Sequence, residues 1–241
     1  MTTIAAALDR VSRKVSVDTP DNWISTTDGE HVEIRDDFLP ETVSEIQDRI
    51  DAPSPLSGSV ALSTDGSETY SLPSDFLRLQ RDAMSVYEST NTRRALMPVT
   101  DDGVWTHLKS VGSTGVTRYY RLSGYEGNWS ISIYKEPTSP QTITVHYVSR
   151  NWMKSSGGTA GYEFTDVADV LMLPRRLVET GVVMRWRHRK GLPYDELLMD
   201  FEAQLGRFSN DRRARRSINF GDPYMDRRPW DVPVPDYIPE S

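Results

Sequence analysis

The chain contains no cysteine, which excludes both a disulfide framework and a thiolate-ligated metal site. It has no apolar run of membrane-spanning length. The apolar run 4–8 is broken by Asp9, well short of a signal-peptide core, so 1–15 reads as a helix and not a leader. Histidine is scarce. No two of His31, His107, His146 and His188 stand at metal-ligand spacing, and no Ser or carboxylate stands in a nucleophile setting. The glycine-rich 155–161 (SSGGTAG) lacks the Lys-Ser or Lys-Thr of a phosphate loop. Asp36-Asp37 and Asp101-Asp102 are adjacent acids that read as helix-start signals. The Asn128-Trp129-Ser130 triplet falls inside an expected strand and is no glycosylation signal. Nothing here marks an enzyme, a cofactor or a metal.

What is present is a helical hairpin over 174–217. In its second arm Leu197, Leu198, Phe201, Leu205 and Phe208 form one stripe on a 3.6-residue period. Gly191 and Pro193 punctuate the two arms, one closing a helix with positive φ and the other opening the next. The first arm offers Leu177, Val178, Val182 and Met184 for packing, with Arg185, Arg187, Arg189 and Lys190 toward its end.

The formal charge of −7 conceals a division. Residues 1–80 carry 15 acids and 6 bases, 81–173 carry 9 of each, and 174–216 carry 11 bases and 6 acids. Such asymmetry suits solvated faces, a nucleic-acid patch or complementary subunit surfaces. Around Trp186 the solvated helix end is favoured, with the indole turned to the bundle. A contact with the acidic N-terminal part of another subunit is a further reading.

In chain order, Thr3 caps a helix carrying Ile4, Leu8, Val11 and Val15. The stretch 18–30 reads as a loop, and a helix starting near Pro40 presents Val43, Ile46 and Ile50. Residues 54–66, rich in Ser, Gly and Pro, mark a boundary. The period then becomes two. Residues 70–79 give an extended piece, a turn and a strand start, with 83–87 and 95–99 as further strands. Thr100 caps a short helix with Val104, Trp105 and Leu108 inside. Strands at 116–122, 128–134 and 141–148 form a meander, and 164–173 has helical spacing.

These elements define an α+β fold: a helical bundle from the N- and C-terminal segments with an inserted antiparallel β module and an extended C-terminal arm. The expected units are 1–54 and 161–217 for the bundle, 55–160 for the β insertion and 218–241 for the arm. Five prolines forbid a helix or central strand in the arm, while Tyr224, Trp230 and Tyr237 are anchors a solvated tail has no need of. Arg227 and Arg228 add directional donors. The arm reads as a peptide that orders on a partner.

The motifs YSLPSDFLRL (70–79), RYYRL (118–122), ISIYKEP (131–137) and ITVHYVSR (143–150), followed by the late hairpin, resemble the head-to-tail adaptor proteins of tailed bacteriophages, similar in fold to tail tubular protein A. The likeness spans about residues 40–215. It implies a non-enzymatic virion protein at the head–tail interface, assembled in the host cytoplasm into a homo-oligomeric ring of twelve copies. Its implied partners are the portal protein and a tail-side connector, terminator or nozzle protein, with no membrane. It also implies that 218–241 docks on the portal, and that DNA passes the channel without sequence-specific binding. Arg212, Arg213, Arg215 and Arg216 are then candidate subunit or channel contacts. The rival reading is a nucleic-acid-binding protein that uses these basic C-terminal helices.

Overall fold

The computed structural model describes residues 2–50, 54–81, 84–90, 94–111, 117–134 and 141–213. The first apolar stripe forms α1 (Ile4–Val15), whose N-terminus is closed by the Thr3 hydroxyl accepting from the Ala6 N–H. Ile4, Leu8, Val11 and Val15 are buried as the period demands.

The second helical run differs from its sequence reading. It begins as α2 (Gly29–Val32) with Asp28 capping the amides of Glu30 and His31, continues as a π-helical segment Glu33–Phe38, and ends as α3 (Leu39–Arg49). Pro40 therefore lies inside a continuous helical run, and Asp36 sits mid-run instead of at a start. The wider π turn explains the tolerance, because it relaxes the ladder where proline lacks an N–H and presses on the preceding carbonyls.

Residues 54–66 hold a strand and not merely a boundary. β1 (Ser57–Ser63) pairs along its whole length with β8 (Thr142–Ser149). Gly58 permits this, since any Cβ there would overlap the ring of Tyr147. On the far side of β8 lie β3 (Phe76–Leu79) and β4 (Val86–Glu88), both antiparallel to it. A second sheet runs in the order β2 (Thr69–Ser71), β7 (Asn128–Tyr134), β6 (Tyr119–Tyr125), β5 (Met97–Pro98). The expected meander is thus only a hairpin, β6 to β7; β8 joins the other sheet. Both sheets turn apolar residues into one cluster, with Ile131 and Ile133 from one and Phe76, Ile143 and Val145 from the other.

Asp101, rather than Thr100, caps α4 (Asp102–Val111) by accepting from the Val104 N–H. Trp105 is buried, whereas Val104 is exposed. Residues 164–173 are not helical. The Asp169 carboxylate accepts from the amides of Thr165 and Asp166, a local alternative to helix, and Val170–Leu171 forms β11 on β9 (Met153–Lys154). The loop 155–161 closes a small hairpin from β9 to β10 (Ala160–Gly161).

The helical hairpin stands as read: α5 (Arg175–Arg189), Gly191 at φ 68°, and α6 (Asp195–Arg213). Leu177, Val178, Val182, Met184, Phe201 and Leu205 are buried, while Leu198 faces solvent. α5 is the axis of the larger core and packs on α1, α3 and α6. At its centre Gly181 lies so close to Thr42 and Phe201 that a methyl would meet Phe201 Cε2 at 2.9 Å.

Candidate interaction surfaces

The basic end of α5 faces the acidic helical run within the same chain. Arg185 pairs with Glu45 and stands 3.4 Å from Glu41, Arg189 is 3.2 Å from Glu33, and Lys190 is 2.9 Å from Glu30. Trp186 is buried against the bundle, as the favoured reading held, and Lys190 lies 5.7 Å over its ring. These contacts correct the intersubunit reading for this stretch: the acids that meet it are its own chain's. The hydrogen bond from Lys190 to Glu30 raises the ammonium's pKa, so it stays charged.

Two further seams tie the helices. Arg49 of α3 binds Glu45 and Glu202 of α6, and its hydrogen bonds hold the Glu202 carboxyl below the usual carboxylate range. Glu179 is buried within α5, with Lys14 of α1 at 2.8 Å and Arg175 at 3.1 Å. A buried carboxylate is retained only with such compensation.

The two clusters are fastened by side chains that sequence periodicity does not reveal. Arg78 of β3 donates to the carbonyls of Gln47, Asp48 and Ile50, collecting the unsatisfied groups at the end of α3. Gln47 in turn donates to the carbonyls of Ser149 and Arg150 at the end of β8.

Beside this junction lies a recess of about 400 Å³ lined by Asp75, Arg150, Met153, Tyr162, Glu163 and Asp169. Arg150 stacks 3.9 Å from the centre of the Tyr162 ring and 3.5 Å from Glu126. Asp75 accepts from Tyr147 and Ser149; burial and that carboxylate push the Tyr147 phenol up to about 12. Asp75, Glu163 and Asp169 among its lining residues oppose a free anion. Among the described residues no group of three His, Asp or Glu side chains could hold a metal, and no helix is long and apolar enough to cross a membrane. His31 is buried and structural: Nε2 lies 2.6 Å from the Asp18 carbonyl, and its ring meets Trp23 edge-on. It lies in α2, which begins at Gly29, inside the stretch 18–30 expected as a loop.

Of the residues singled out from sequence, Arg212 and Arg213 form the last turn of α6. Arg215, Arg216, Tyr224, Arg227, Arg228, Trp230 and Tyr237 lie outside the described residues.

No curated protein matches this chain. The family model for SU10 adaptor protein matches residues 2–228, a span that takes in both clusters, the hairpin and the first part of the C-terminal segment. The chain belongs to the SU10 adaptor protein family and is a structural head-to-tail adaptor of a tailed bacteriophage.

Proposed function

We propose that copies of this chain close into a ring that seats on the portal and offers the tail its attachment platform. The observation that carries this reading is the family match across 2–228. The portal on the head side and a connector, terminator or nozzle protein on the tail side are its partners, and the virion's head–tail interface is its location. Twelve copies is the stoichiometry that the resemblance implies. Residues 218–241 dock on the portal through Tyr224, Arg227, Arg228, Trp230 and Tyr237, large anchors on a proline-stiffened chain. Arg212, Arg213, Arg215 and Arg216 serve subunit or channel contacts.

The nucleic-acid reading loses ground, because Arg185, Arg189 and Lys190 are matched by acids of their own chain. Any DNA affinity is expected to be weak and independent of sequence. The decisive experiment is electron microscopy of the protein with and without portal, with portal pull-down by the full-length chain, by 1–217 and by Trp230→Ala. The truncated chain keeps its fold by circular dichroism and loses the portal. A folded 1–217 that captures portal as well as the full chain removes the arm's role, and a protein that remains monomeric on portal removes the ring.

A further inference from the structure

β1 is the edge strand of its sheet, and its open side can be assigned residue by residue. The Ser149 amide donates to the Leu56 carbonyl and the Thr64 amide to the Gln141 carbonyl, both in the register that pairs β1 with β8. Even-numbered positions therefore direct their backbone groups at β8, and Ser59, Ala61 and Ser63 direct theirs away from the sheet. Among the described residues nothing pairs with those outward groups. Natural edges are blunted by charge, proline or a bulge. SGSVALS carries neither charge nor proline, and its seven pairs run without a shift. Its exposed side chains, Ser59, Ala61 and Ser63, are small enough for a bulky neighbour to lie across them.

The occupant is suggested by the proline spacing beyond α6. Residues 214–241 follow that helix, and Pro223, Pro229, Pro233, Pro235 and Pro239 all fall at odd positions. In an extended chain, residues of one parity turn their N–H groups to one side. Every missing N–H is then on one edge, and the other edge, through Trp230, Val232, Val234, Asp236 and Ile238, keeps its donors. Such a segment can add to one sheet edge and cannot propagate to a second.

We propose that the β1 edge of one copy accepts, as an added antiparallel strand, the segment around 230–238 of a neighbouring copy's arm. This rests on the reading of 218–241 as a docking arm and names how it is held. In the register that sets Val232 opposite Ala61 and Val234 opposite Ser59, Trp230 falls opposite Ser63 on the exposed face of the sheet. Its indole remains available to the portal while the backbone is held by the neighbour. All pairs of this sheet are antiparallel, so the addition continues its pattern. At about 3.3 Å per residue, the residues between 214 and 230 reach roughly 50 Å, enough to cross a subunit boundary.

The absence of native cysteine makes the test clean. Ala61→Cys and Val232→Cys chains, mixed on portal and oxidised, are expected to give a covalent dimer of the two variants, since paired residues stand about 5.5 Å apart. Val234→Pro added to the Val232→Cys chain is expected to lower the cross-link by about tenfold, because it removes a donor facing β1. Asp231→Pro, at an odd position, leaves the yield unchanged. Ala61→Pro, which blocks the edge and spares the β8 ladder, is expected to reduce copy-to-copy association while circular dichroism is unaltered. Absence of the mixed dimer, or equal loss from Val234→Pro and Asp231→Pro, overturns the strand addition. If 1–217 still fails to capture portal in that case, the arm reading survives alone; if 1–217 captures it, both fall.

Discussion

The helical region and the two-sheet region use their surfaces in opposite ways. Around α5 the charged residues of one helix meet complementary charges on the next: Lys14 with Glu179, Arg49 with Glu202, Arg185 with Glu45, Arg189 with Glu33. The β region also carries ion pairs, Glu88 with Arg118 and Asp102 with Arg121, beside short cross-strand pairs, Thr69 with Ser132 and Ser123 with Ser130, but among the described residues nothing pairs with the backbone of Ser59, Ala61 and Ser63. A helix satisfies its backbone internally, so only its side chains are left to be matched. A sheet ends in a row of unpaired amides that another chain can complete. The helical region thus matches its charges within the chain, and the β module presents, among the described residues, a strand edge open to main-chain pairing.

The largest expected effect comes from breaking the helical side. Phe201→Ala removes a fully buried ring at the crossing of α5, α3 and α6 and is expected to cost about 3–5 kcal/mol in denaturant unfolding. Gly181→Ala attacks the same crossing by overfilling it, at about 1–3 kcal/mol, since Thr42 and Phe201 must both give way. A change under about 0.5 kcal/mol would show that the helices separate freely there.

Arg78→Ala sharpens the comparison, because it cuts the tie between the two regions and touches neither core. It leaves the carbonyls of Gln47, Asp48 and Ile50 without their guanidinium partner, an expected loss of about 1–3 kcal/mol. Unfolding followed by tryptophan fluorescence and by far-ultraviolet dichroism should then separate into two transitions. Coincident curves would mean that the remaining ties, Gln47 to Ser149 and Arg150, Arg81 to Asp48 and the shared strand β8, keep the cores coupled.

The smallest effects are in pH. Glu202 and Asp36 are held below their ordinary values by hydrogen bonds from Arg49 and Arg35. A lowered carboxylate pKa contributes stability that is present above about pH 4.5 and is lost as pH falls through the folded value. Both groups are partly exposed, so solvent screens the loss to a fraction of what a buried pair would show. At the other end, the raised Tyr147 phenol predicts falling stability from about pH 10 toward 12, as the unfolded chain ionises first. Tyr147→Phe should reduce that alkaline slope in thermal melts, leaving the shares of the Tyr120 phenol, which burial also raises, and of Lys190.

Local chemistry by itself determined α1, the α5–α6 hairpin with its Gly191 turn, and the β6–β7 hairpin. Each is specified by residues within about ten positions, through apolar period, capping hydroxyl and turn glycine. Apolar spacing also misled where local signals compete. The stripe at 164–173 satisfies a helix, yet the Asp169 carboxylate folds back onto the amides of Thr165 and Asp166 in a local turn, and Val170–Leu171 pair with β9 instead of continuing a helix. Pro40 reads as a helix start until a π turn ahead of it makes an interior position tolerable. That β8 leaves its sequence neighbours to sit between β1 and the β3 and β4 strands was decided only by tertiary structure, because strand partners 55 to 91 residues apart leave no mark on local periodicity. The same holds for the charges. The acids and bases are segregated along the chain, but only the packing of α5 against the π-helical segment Glu33–Phe38 and α3 decided that they meet within one chain, since ion pairing acts over ångströms of space and not along sequence.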